Sequence, residues 1–125
     1  MSKLRVRNQS RNTVLGDRVG IADTSATRRT GLLKHTRLDP GEGLWIAPCE
    51  AVHTFRMKFP IDVLFLDKKR KVLKIRSEMP RSRMAVCLRA HSVLELPSGT
   101  AEAMQTVVGD QLDFERYDDD LKTAP

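Results

Sequence analysis

No stretch of this sequence approaches the ~20 apolar residues that a bilayer-spanning helix requires, which excludes a helical membrane protein. The basic start MSKLRVRNQSRN has no apolar segment behind it, so no secretory leader is expected and the expected compartment is the cytoplasm. Aromatic residues are scarce, with one Trp and one Tyr and no RNP-like pattern, leaving little on which nucleobases could stack. Only two cysteines occur, Cys49 and Cys87, and in a reducing compartment they are expected as free thiols rather than a bridge. A Walker loop, a dinucleotide fingerprint, a zincin helix and a nucleophile elbow are all missing. The common cofactor chemistries are thereby removed, and neither a cofactor nor a metal is expected.

What is present is a chain of 125 residues, 40% hydrophobic and 30% charged, which reads as one globular domain over 1–125. That length suffices to bury a sizeable core without a disulfide or metal staple. The last residues, 118–125, read as a frayed acidic tail. The net charge of +6 is unevenly spread: residues 1–37 hold nine Lys and Arg against two acids, and residues 91–125 hold two against eight. Such polarity either offers a basic face to polyanions or lets the acidic third fold back on the basic one. Any nucleic-acid binding is therefore expected to be weak and non-specific.

Two-residue alternation dominates, so the fold class is mainly β: a compact β-sandwich or partly closed barrel with one or two short helices. Leu4 and Val6 alternate with Lys3, Arg5 and Arg7 in a first strand. TVL and RVGIA flank Gly16-Asp17, a pair suited to a tight hairpin turn. The hydroxyls and carboxylate of Asp23-Thr24-Ser25 are N-cap candidates for a helix ending near Lys34, with Gly31 marking close packing or an earlier stop. LWIA, residues 52–59, IDVLFL (61–66), VLKIR, VLELP and DQLDFER read as strands, and SGTAEAMQ as a second short helix. The nearly continuous apolar run of IDVLFL suits a strand buried on both faces. Parallel α/β folding is disfavoured, since two helices cannot cross over between most strands.

Short motifs recur in order along the chain: ADT from Ala22, RRTGLL from Arg28, GEGL from Gly41, then Pro48-Cys49 and HTF from His53. Met57-Lys58, Pro60-Ile61-Asp62, VLFLD, VLELPSGT from Val93 and Gly109-Asp110 continue the series. In these motifs the sequence resembles the family catalogued as domain of unknown function 192. The resemblance implies a small, mostly β prokaryotic protein of unestablished activity, and an exported or membrane-tethered setting for many members. No leader is expected here, which departs from that pattern. The chain also has the basic run Lys68 to Lys71 where the family has a turn glycine, which implies a turn type that tolerates negative φ. A longer polar insert of many relatives, between Met57-Lys58 and Asp62, is missing as well.

Seven residues are ligand-binding candidates: Arg28, Cys49, His53, Thr54, Met57, Asp62 and Glu95. Cys49 and His53 lie four apart, roughly 13 Å along an extended strand, too far to share one ion. His53 shares a face with Phe55 and Met57, either as a core histidine or at the floor of a pocket. Asp62 heads the most apolar strand, where a carboxylate must be paired or hydrogen-bonded. It either takes backbone N–H groups of the Phe59-Pro60 turn or lines a site with His53. Glu95, between Leu94 and Leu96, is expected on a solvated outer face. Arg28 and Arg29 hold either an anionic ligand or a carboxylate such as Asp62. The reading that follows is a non-catalytic ligand-binding or accessory module with a pocket near His53, Met57 and Asp62, its partner a small molecule or protein. Two alternatives stand beside it: a small hydrolase- or isomerase-like enzyme using Asp62 and His53 as acid and base, and a weak nucleic-acid-associated protein. Packing of the strands would place the pocket at one mouth of the barrel.

Overall fold

The computed structural model describes residues 2–119. Alternation places Leu4 and Val6 inside and forms β1 (Ser2–Asn8). The other strands are β2 (Thr13–Ala22), β3 (Glu42–Ile46), β4 (Ala51–His53), β5 (Ile61–Leu66), β6 (Val72–Met79), β7 (Met84–Val86), β8 (Ser92–Pro97) and β9 (Leu112–Asp118). Two short helices interrupt them, α1 (Ser25–Thr30) and α2 (Thr100–Ala103). Seven strands form one mixed sheet in the order β6-β5-β8-β3-β2-β1-β9, and β4 pairs with β7 in a separate ribbon. All sheet neighbours are antiparallel except β2 and β3, whose parallel pairing is made possible by the crossover through α1. The mainly β expectation holds. The sheet curls without closing into a barrel: its edge strands β6 and β9 meet at one end, through the Lys71–Gln111 bridge and the Leu112 N–H bonded to the Arg70 carbonyl at 3.0 Å.

Each face of the sheet has its own core. Inside the curl, Leu4, Val6, Val19, Leu64, Leu94 and Leu96 pack together, with residues of both edge strands. On the opposite face Ile61, Val63, Phe65 and Val93 lie beneath a second layer. That layer is built from the β4–β7 ribbon, the chain following α1 and the loop after β4, which contribute Val52 and Ala85, Leu32, and Met57. All six residues of β5 are consequently buried, as its apolar run predicts.

Several local expectations change. Gly16-Asp17 is not a hairpin turn but lies within β2, which forms a bulge there: Leu4 faces Val19 while Val6 faces Gly16. The N–H groups of Asp17 and Arg18 that the bulge frees both donate to the Gly41 carbonyl, at 3.0 and 2.9 Å. Helix α1 starts with a capping box between Thr24 and Thr27, and stops at Gly31 rather than Lys34. Gly31 adopts φ 48°, open to glycine at little cost, and this turns Leu32 and Leu33 under the second layer. The turn after β5 does not keep negative φ: Arg70 sits at φ 67°. Its guanidinium lies 4.4 Å from the centre of the Phe114 ring, a cation–π contact that offsets the backbone strain. The extended strand expected over 52–59 ends at His53. The segment after Pro80, which is not among the strands expected from the sequence, contains β7.

The two ends of the charge distribution do fold together. β1 lies antiparallel to β9 with Arg5 opposite Glu115 and Arg7 opposite Asp113, favourable cross-strand pairs that reduce the basic field of the N-terminal third. Of the tail expected over 118–125, Asp118 is the last residue of β9, and residues 120–125 lie outside those described. No helix among the described residues is long and apolar enough to cross a membrane.

Candidate functional site

The second layer leaves a cavity of about 240 Å³ between itself and the sheet. Five of the seven sequence candidates line it: Arg28, Cys49, His53, Met57 and Glu95. Leu32, Ile46 and Val52 supply apolar wall. The site therefore lies on the outer face of the sheet, under β4, and not at the mouth of the curl. At 240 Å³ it is smaller than the ~300–1,000 Å³ of drug-sized sites, so its size suits a small ligand.

Glu95 is not on a solvated face, as its alternation with Leu94 and Leu96 suggests. The two leucines point into the core inside the curl, and Glu95 faces the other side of the sheet, which the second layer covers. It is only 5% exposed. Desolvation by burial pushes its carboxyl up to about 7. No hydrogen bond or ion pair reaches it among the described residues. The backbone beneath it is tightly set: a Cβ at Gly43 would stand 2.7 Å from the Glu95 carbonyl oxygen, so the GEGL motif keeps β3 pressed against this segment.

Arg28 reaches over the cavity from α1. Its guanidinium makes two long contacts, 3.4 Å to the Pro48 carbonyl and 3.5 Å to Ser25 Oγ, and its Nε is buried with no partner. Cys49 donates its thiol to the Ala51 carbonyl at 3.2 Å, and desolvation by burial pushes the thiol's pKa up. That shift opposes a thiolate nucleophile. Both cysteines are free. His53 is exposed at the rim, its ring stacked 5.2 Å from that of Phe55, and Met57 closes the cavity from below at 6% exposure. The shared face expected for His53, Phe55 and Met57 is broken, since Phe55 is exposed and Met57 buried.

Asp62 and Thr54 are placed elsewhere. The Asp62 carboxylate is fully buried and accepts three backbone N–H groups: Glu78 at 2.7 Å, Gly99 at 3.1 Å and Ala101 at 2.8 Å. These belong to a bulge in β6 and to the start of α2, not to the Phe59-Pro60 turn. Asp62 does not line the cavity, and the His53–Asp62 acid–base pair is not assembled. Thr54 is fully buried and ties two loops together, donating its hydroxyl to the Pro80 carbonyl at 2.6 Å and accepting the Arg83 N–H at 2.8 Å. This knot draws residues 54–57 into a turn. The wall residues Ile46 and Leu32 were not among the sequence candidates, although the RRTGLL and Pro48-Cys49 motifs bracket them.

Every residue that lines this cavity falls within the span that matches a protein family. The model of the domain of unknown function 192 family, described as uncharacterized ACR, matches residues 5–114. The chain belongs to this family. Within the matched span, the RRTGLL segment and Pro48-Cys49 both line the cavity. Among relatives, a UPF0127 protein of Thermococcus sibiricus is 30% identical over 113 residues, covering 86% of this chain and 73% of its own length. A UPF0127 protein of Pyrococcus horikoshii is 31% identical over 111 residues, covering 84% of this chain and 94% of its own. Among solved structures, a Novosphingobium aromaticivorans protein of unknown function superposes with a TM-score of 0.76 at 24% identity, covering 88% of this chain and 82% of the other. A Sinorhizobium meliloti protein, described as a candidate transcription regulator, gives 0.79 at 20% identity, covering 91% and 94%. At these identities the two structures speak for the fold.

Proposed function

We propose that this chain is a non-catalytic module that holds a small molecule in the cavity under β4. One observation carries this reading: the Glu95 carboxyl lies buried against the cavity with no hydrogen-bond or ion-pair partner among the described residues. A buried polar group without a hydrogen bond costs about 1–3 kcal/mol, more if charged, and a ligand hydroxyl or amine beside Glu95 would remove that cost. Arg28, loosely held across the same space, supplies a donor for an acceptor on the ligand. Leu32, Ile46, Val52 and Met57 offer an apolar surface to the body between. His53 lies at the rim, where water can replace it. Asp62 takes no part.

Native mass spectrometry of the full chain, purified from its own host, tests this. A retained small mass that is lost in Glu95→Leu is the expected result. Wild-type protein that carries no mass, and whose Glu95 carboxyl signal stays fixed when small hydroxyl- and amine-bearing fragments are added, overturns the proposal.

The acid–base alternative keeps support only if Glu95 stands where Asp62 was expected. A carboxyl titrating near 7 has the proton affinity of a general acid or base at neutral pH. Chemical conversion of the retained molecule by wild type, abolished in Glu95→Gln with binding intact, is what would favour catalysis over binding.

A further inference from the structure

Next to the cavity lies a more open basin of about 560 Å³. Arg28, Lys68, Arg89 and His91 line it, and Glu50 is the single acid that lines it among the described residues. The cations arrive from three separated segments: α1, the turn after β5, and the loop between β7 and β8. The side chains of Lys68 and Arg89 have no hydrogen-bond or ion-pair partner among the described residues, and Arg28 has only its two long contacts and its orphaned Nε. Elsewhere the fold does pair its arginines with acids, as in Arg11 with Asp110 at 3.2 Å and Arg37 with Asp39 at 3.1 Å. Three like charges converging on one concavity repel one another, and one carboxylate leaves two of them uncompensated. An arrangement of that kind is stabilised by a bound anion carrying about two charges.

Arg28 gives the basin a direction. With Pro48, Cys49 and Ala51 it lines both the basin and the inner cavity, so the two spaces share one wall. A planar guanidinium with free N–H groups is suited to paired bonds with two oxygens of one phosphate, and Lys68 and Arg89 can take up the remaining charge. We infer that the basin is an anion subsite for the dianionic head of a small phosphate monoester. The organic body of that ester would extend past Arg28 toward Glu95. The placement of the body rests on the reading proposed above, whereas the binding of the head does not.

The experiment titrates inorganic phosphate into the full chain at pH 8 and fixed ionic strength, following the Nε–H signals of Arg28 and Arg89 by NMR. Saturable shifts at both are expected. The double variant Lys68→Gln/Arg89→Gln should weaken the apparent affinity about tenfold or more, because each of the removed charges faces the anion directly. Both side chains are exposed, so its melting temperature should stay at the wild-type value. Shifts that never saturate, or an affinity equal in wild type and double variant, overturn the subsite and leave only general attraction of anions to a basic protein. Glu95→Gln separates this inference from the preceding one. If it and wild type bind phosphate equally while no organic mass is retained by either, the anion subsite stands and the inner-cavity reading falls. A retained mass that survives loss of Lys68 and Arg89, with no phosphate response, shows the reverse.

Discussion

Asp62 and Glu95 lie on neighbouring strands, β5 and β8, and both are withdrawn from water, at 0% and 5% exposure. Their surroundings could hardly differ more. Asp62 receives three backbone N–H groups, one from a bulge and two from the start of α2. It ties the β6 bulge and the start of α2 to β5 and has little capacity left for a ligand. Glu95 receives none from the described residues, and its carboxyl faces a cavity instead. Burial alone therefore does not separate a structural carboxylate from a candidate binding group. Hydrogen-bond saturation does, because an acceptor already satisfied by the backbone gains little from a ligand, and an unsatisfied one gains a great deal.

The largest effect that follows is on stability at Asp62. Asp62→Ala strands three N–H donors in the interior and is expected to cost about 3–5 kcal/mol in the denaturant midpoint at pH 7. Asp62→Asn keeps an acceptor oxygen and should cost less. A loss below about 1 kcal/mol in the alanine variant would mean that water reaches these donors, and the contrast with Glu95 would collapse.

Glu95 predicts a smaller effect with a distinctive pH signature. Its folded-state pKa of about 7 stands above the ordinary value of 4.5. Between those values the folded chain retains a proton that the unfolded chain has released, so stability declines as pH rises from about 4.5 to 7 and levels off beyond. The full decline is of order 3 kcal/mol. Glu95→Gln should remove that slope and be more stable than wild type at pH 8. Asp110 acts in the opposite sense and in a lower window. Its burial raises the pKa, but the bonds from Asn8, the Val107 N–H and Arg11 outweigh that and hold it below the ordinary carboxylate value. Its contribution is present above that ordinary value and is lost only as pH falls below it. Thermal melts from pH 4.5 to 8 thus isolate Glu95. A slope that persists unchanged in Glu95→Gln would show that the proton sits elsewhere.

The same pair shows what was legible in the sequence. The apolar run Ile61 to Leu66 announced a strand buried on both faces, and alternation around Leu4 and Val6 announced β1. Alternation also placed Glu95 correctly on the face opposite Leu94 and Leu96. It could not say that this face is covered, because the cover is β4, β7 and the chain after Gly31, brought there by tertiary contacts alone. Residues 52–59 failed for a related reason. Their alternating pattern is that of a strand, but the Thr54 hydroxyl bonds to Pro80 and Arg83 and turns the chain. Arg70 at φ 67° escaped because its compensation, the ring of Phe114, is more than forty positions away in sequence. The requirement that Asp62 be hydrogen-bonded was readable from burial, whereas the identity of its donors depended on where α2 docks.

The smallest expected effect is at His53, and it bears directly on whether this histidine belongs to the core or to the rim of the site. A core histidine leaves a cavity and unpaired neighbours when truncated, at a cost of about 2–4 kcal/mol. His53 is the last residue of β4, exposed, opposite Met84, and in contact with the half-exposed ring of Phe55. His53→Ala therefore removes one solvent-facing ring stack and should move the denaturant midpoint by no more than about 0.5 kcal/mol, the range of an ordinary surface substitution. Phe55→Ala serves as the internal control, since it removes the same stack from the other side. Two equally small shifts would fix His53 as a rim residue. A loss of several kcal/mol in His53→Ala alone would place its ring in the packed interior, and the cavity would then lose the polar edge that opens it toward solvent.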